Sequence, residues 1–144
     1  MSEWHCVKTT EDIDSLLTEY GGFHDSSIVE MNYKTGAYVD ENGALSYGSD
    51  EEKQMTVIFH SQMIKKKLEL CFIGVRQFSM AGWQYNYFSE IFDCYLKFHR
   101  DSKIDTPYIV WADYAEFSFN DIKLLQEPMT NFIIASNLKW RFAE

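Results

Sequence analysis

The chain has 144 residues, near the usual size of one domain, and is 46% hydrophobic and 17% aromatic. That composition supplies a packed core and excludes an intrinsically disordered chain, which carries few aromatics and too little apolar area to offset its entropy. A formal net charge of −9 excludes the basic balance of a nucleic-acid binder or of a protein that rests on acidic membranes.

The opening MSEWHCVKTTED shows no basic leader followed by an apolar run, so no secretion signal is expected. Nor does any stretch approach the roughly 20 apolar residues that cross a bilayer. The first regular element is a predicted helix. Thr9 and Thr10 can cap it, Glu11 and Asp12 lie where the helix dipole favours acids, and Gly21–Gly22 stop it. Ile13, Leu16, Leu17 and Tyr20 fall at i, i+3, i+4 and i+7, one apolar stripe.

After the glycine pair the period changes to two. Residues 26–34 (SSIVEMNYK) place Ile28, Glu30 and Asn32 on one face and Val29, Met31 and Tyr33 on the other, a strand with at least one buried face. Residues 35–53 carry three glycines, an Asn42–Gly43 pair and the acidic run Asp50–Glu52. Asn-Gly favours a tight hairpin turn because both residues tolerate positive φ, so an exposed hairpin is expected there. Strands follow over 55–60 and 68–78, joined by the basic turn Lys65–Lys67. Both faces of 68–78 are apolar, which predicts a central strand covered on both sides.

Residues 89–99 fit a helix by one spacing and a strand by another; strand is the reading taken, pairing with Tyr108–Trp111. A loop or short helical turn is expected around 120–127, ahead of Pro128. The last strand alternates cleanly, with Phe132, Ile134, Ser136, Leu138, Trp140 and Phe142 on one face. Leu70, Phe72, Ile134, Leu138 and Trp140 should share one core cluster. The predicted fold is α+β: a single domain over 1–144, with an antiparallel twisted sheet of about six strands and an N-terminal amphipathic helix.

The charge is unevenly placed. Residues 1–52 hold twelve acids against Lys8 and Lys34, whereas 53–144 hold ten acids against eleven bases. The excess sits in the first third, where Asp40, Glu41, Asp50, Glu51 and Glu52 form a candidate surface for a basic protein partner. A solvated face that keeps the protein soluble is the plainer alternative. Three cysteines, Cys6, Cys71 and Cys94, are an odd and scattered set, read as reduced thiols of a cytoplasmic protein.

Catalytic signatures are missing. The sequence has no Gly-rich phosphate loop, no GxSxG elbow and no HExxH, and its four histidines have no metal spacing. No metal, cofactor or catalytic residue is therefore expected. Two pairs invite a ligand-binding reading: His24–Asp25, and Trp111 with Asp113 at the end of a strand. Asp25 can equally accept backbone N–H bonds where the loop enters the strand, and Trp111 can equally be core.

The helix followed by GGFHDSSI at 21–28, LELCFIGVRQF at 68–78, VWAD at 110–113 and IIASNLKWRF at 133–142 resembles small bacterial α+β proteins. Some of these are grouped as predicted immunity proteins, which bind and neutralise a toxin made by the same cell. The resemblance implies a cytosolic protein with a protein partner and no catalytic residues. Two functions are carried forward. One is a non-enzymatic, immunity-like binder meeting a basic toxin through the acidic face. The other is a small enzyme or ligand-binding protein with an aromatic cavity near His24, Asp25, Trp111 and Asp113.

Overall fold

A short strand, β1 (His5–Val7), leads directly into helix α1 (Thr10–Glu19). The computed structural model describes residues 3–82, 89–101, 103, 106–118 and 131–143. Thr9 caps the helix: its Oγ1 accepts the Asp12 N–H at 3.1 Å, and the Asp12 carboxylate accepts the N–H groups of Thr9 at 3.0 Å and Lys8 at 2.9 Å. These bonds satisfy donors that the first turn leaves open and hold the Asp12 carboxyl below its usual range, the Lys8 amide foremost. Ile13 and Leu16 are buried, and the chain turns at Gly21–Phe23 to leave the helix.

The strands that follow are β2 (Ser26–Lys34), β3 (Tyr38–Val39), β4 (Leu45–Ser46), β5 (Gln54–Ser61), β6 (Lys67–Ser79), β7 (Tyr95–His99), β8 (Tyr108–Ala112) and β9 (Phe132–Ala143). All pairs are antiparallel. The main sheet runs β2-β5-β6-β9-β8-β7, with β1 also on β9, and β3 and β4 form a separate hairpin. The far edge of β9 is divided between two partners. Its first part, Phe132–Ala135, pairs β8, and Leu138–Trp140 pairs β1.

Residues just ahead of β7 reach across to β2, the strand at the other side of the sheet. Ile91 N–H donates to the Ser26 carbonyl at 2.7 Å, and Asp25 N–H donates to the Ile91 carbonyl at 2.9 Å. The sheet is therefore curled until its two sides meet at a seam. Inside the curl the rings of Phe23, Phe59 and Trp111 pack pairwise with centroids 5.0, 5.3 and 6.2 Å apart, under the buried stripe of α1.

Three sequence expectations are corrected here. Ile134 does not join Leu70, Phe72, Leu138 and Trp140; it packs in a second cluster with Val110, Ala112, Phe117 and Phe132 on the reverse face. The alternation of β9 changes phase midway: Ile133 and Ala135 face the main core, and then Leu138 and Trp140 do. β6 changes phase at the same rung, from Leu68, Leu70 and Phe72 to Val75. The break falls at Gly74, which has φ +71° and so close an approach that a Cβ there would lie 2.8 Å from Ser136 Oγ. Glycine alone takes that conformation without strain.

β2 departs from expectation as well. Only its first residue is buried, and Val29, Met31 and Tyr33 are exposed. A bulge at Val29, between the pairs Ile28–Phe59 and Glu30–Ile58, accompanies the change from partly covered to open strand. Finally, β6 is central but unevenly covered: on its reverse face Cys71 is buried, while Glu69 and Ile73 are only half-buried. Glu69 there accepts from Arg141 Nε at 2.7 Å. Within 89–99 the strand occupies Tyr95–His99. The turn expected around 120–127 lies outside the described residues.

Candidate functional site

The acidic hairpin stands off the main sheet on a narrow neck. Gly48 passes so close to Gly36 that a Cβ would run into the Gly36 carbonyl. Above the neck, Tyr38 pairs Ser46 and Val39 pairs Leu45. At the tip, the Asp40 carboxylate accepts the N–H groups of Asn42 and Ala44, each at 2.9 Å, which fixes the turn. Below it, Ser49 opens a short turn over Asp50–Glu52, and Glu52 Oε1 accepts the Ser49 N–H at 3.2 Å and its hydroxyl at 3.1 Å. Lys53 Nζ ties this segment together by donating to the carbonyls of Tyr47 at 3.1 Å and Ser49 at 3.3 Å.

The five acids named from sequence thus divide by role. Asp40 and Glu52 spend their carboxylates on local backbone. Glu41, Asp50 and Glu51 are exposed, and their side chains make no hydrogen bond or ion pair with another described residue. Around them lie side chains that sequence reasoning passed over. Of ten exposed large hydrophobic residues among the described ones, seven fall in 29–47: Val29, Met31, Tyr33, Tyr38, Val39, Leu45 and Tyr47. Tyr47 is the most open of these, at 71%. The signal was present in the sequence as tyrosines flanking an Asn-Gly turn within an acidic stretch, but their exposure follows from the hairpin leaving the sheet.

Among the described residues, the cleft that Asp113 borders is not lined by His24, Asp25 or Trp111. His24 Nδ1–H donates to the Phe92 carbonyl at 2.7 Å, and its Nε2 lies 3.3 Å from Asp25 Oδ2. The bond to Phe92 raises the His24 pKa, with Asp25, Asp93 and Glu90 adding to it. Phe23 and Asp25, on either side of His24, hold left-handed conformations with φ 66° and 60°. Trp111 is fully buried in the main core. Asp113 lies elsewhere, in a knot joining three strand ends. Its N–H donates to the Asn131 carbonyl at 3.0 Å, its Oδ1 accepts the Asn131 N–H at 3.0 Å, and Asn131 Oδ1 accepts the Ala81 N–H at 2.6 Å.

That knot borders a cleft of about 470 Å³ at the start of β2, walled by Ile28, Met31, Met80 and Ile91, with Glu30 and Asp113 among its lining. No group of three or more His, Cys, Asp or Glu is placed to hold a metal ion among the described residues, and no helix among them is long and apolar enough to cross a membrane. Comparison with protein-family models, curated proteins and solved structures finds no match.

Proposed function

We propose that this protein is a non-enzymatic, immunity-like binder that meets a basic toxin through the hairpin and the open face of β2. One observation carries the reading: exposed tyrosines and aliphatic side chains share residues 29–52 with six acids and a single lysine. Aromatic residues at an interface centre supply most of the binding energy, and surrounding charges supply encounter rate and register. A face with either feature alone has a simpler explanation; the two together match the anatomy of a partner site. Free thiols at Cys6, Cys71 and Cys94 support the cytoplasmic location that this function requires.

The test begins with the partner, purified from the native host on the immobilised chain, and measures association at low and high salt. Glu41, Asp50 and Glu51 replaced together by Ser should slow association about tenfold at low salt and leave folding within about 0.5 kcal/mol. Glu52 stays unchanged in that variant because its carboxylate holds Ser49. Tyr38→Ala with Tyr47→Ala should instead speed dissociation. A partner whose association ignores both salt and the triple substitution would reduce the acidic face to solvated surface.

A further inference from the structure

The main sheet ends on β2 at one side, and the outer edge of that strand is used only at its start. The Ser26 carbonyl accepts the Ile91 N–H at 2.7 Å, and Ser27 Oγ donates to the Ser89 carbonyl at 3.2 Å. From the bulge at Val29 to Thr35 every residue is exposed, and no described strand pairs the outer edge there. At Gly36, with φ +81°, the chain turns away into the hairpin neck. The open edge therefore runs from Val29 to Thr35, with Asn32 at its midpoint.

An unpaired strand edge is a template for another strand, and the side chains along it select which one. Glu30 and Lys34 lie on one face of β2, opposite Ile58 and Gln54 of β5, while Met31 and Tyr33 lie on the other, opposite Val57 and Met55. Neither Glu30 nor Lys34 joins its side chain to another described residue by a hydrogen bond or ion pair. Two copies of one strand that pair antiparallel about a two-fold axis set one residue opposite itself. With Asn32 in that place, Glu30 faces Lys34 of the second copy and Met31 faces its Tyr33, each contact made twice. Opposite charges directly across a strand pair are favourable, and like charges are not. A shift of the axis by one residue loses the match: centred on Met31, Lys34 faces Ile28, and centred on Tyr33, Glu30 faces Gly36.

We propose that this chain forms a homodimer in which β2 pairs with β2 of a second copy, antiparallel about Asn32, so that one sheet runs through both. The fold bounds this pairing at each end. Gly36 falls opposite Ile28 of the other copy, two residues short of the Ser26–Ile91 seam, and there the hairpin leaves the sheet. Edge pairing leaves the hairpin and the faces of β2 open, so the inference stands apart from the toxin-binding reading and is tested on the chain alone.

Sedimentation velocity of the purified full chain over about 1 µM to about 1 mM should show a reversible dimer. About 0.15 M salt screens the net charge of −9 in that experiment. Glu30→Lys alone and Lys34→Glu alone should each weaken self-association at least about tenfold, because both ion pairs become like-charged pairs. Both positions are exposed, so folding should change little, which circular dichroism checks. Mixed in equal amounts, the two variants should dimerise with each other about as tightly as the unaltered chain, because both contacts then join opposite charges. The double variant, Glu30→Lys with Lys34→Glu, should dimerise on its own for the same reason. A monomer throughout the concentration range, single variants that associate as the unaltered chain does, or a mixture no tighter than its components would overturn the proposal.

Discussion

His24 and His99 are both partly open to water, yet their surroundings pull their protons in opposite directions. His24 gives its Nδ1 proton to the Phe92 carbonyl, and Asp25, Asp93 and Glu90 all favour the imidazolium, so its pKa is raised above 6.5. Its contribution to stability is therefore fully present below 6.5 and is lost as pH rises through the folded value. His99, on β7, stacks between Tyr95 and Tyr108, and its Nε2 lies 2.7 Å from the Tyr95 hydroxyl. Burial, helped by Lys97, lowers its pKa below 6.5, so its contribution is present above 6.5 and is lost as pH falls toward the folded value. NMR titration of the ring protons should find the two midpoints on opposite sides of 6.5, His24 above and His99 below. Both midpoints near 6.5 would mean that neither contact persists in solution. Replacing His24 by Gln should flatten the alkaline side of the stability profile and leave the acid side, which His99 shapes, as it was.

Strands β6 and β9 change phase together, and Gly74 is the residue that permits it. Gly74→Ala must hold a left-handed φ and press a methyl group onto Ser136. Backbone strain of this kind costs about 1–3 kcal/mol, and overpacking adds to it. Urea unfolding should show a loss of at least about 2 kcal/mol; a loss under about 1 kcal/mol would show that β6 can realign without the glycine. The same rung explains what could and could not be read from the sequence. Helix α1 was legible because its signals are local: Thr9, Asp12, the apolar stripe and the glycine pair lie within fourteen residues. Most of the longer strands were legible as strands for the same reason, whereas β1 was not read from the sequence and the segment holding β7 fitted a helix as well. The face assigned to Ile134 was not, because its phase is set by Gly74, sixty residues earlier and adjacent only through cross-strand register. Nor did the alternation of β2 disclose its exposure. Alternation defines two faces, but whether a face is covered depends on which distant element arrives there. The cleft beside β2 was hidden more thoroughly, since its described lining comes from five separated stretches brought together by the curl of the sheet.

The three cysteines sample the molecule at three depths, and their reactivity measures how firmly the curled sheet is held. All are free thiols. Cys6 is exposed on β1, beside the later part of β9. Cys71 is buried on the reverse face of central β6, where burial raises its pKa. Cys94 stands between the seam at Ile91 and the start of β7; burial pushes its thiol up to about 12, with Asp93 adding and the Trp111 indole opposing. Thiolate is the reacting form, so burial slows a thiol both by excluding the reagent and by keeping it protonated. A thiol reagent added to the native protein should therefore label one group rapidly, Cys6, and the unfolded, unreduced chain should yield three. The slow sites carry further information, because a covered group, Cys71 fully and Cys94 in part, reacts faster when the structure around it opens. Cys71 sits between β5 and β9 and should be labelled only at the rate set by global unfolding, slowing as stability rises. Cys94 lies beside a seam that closes through a few bonds at Ser26 and Ile91, so local opening there should expose it sooner. Mass spectrometry of the labelled cysteines over a urea series separates the two. Cys94 should show the weaker dependence on urea, since opening the seam uncovers less surface than unfolding the sheet. Equal urea dependence at Cys71 and Cys94 would mean that the seam and the sheet open as one unit.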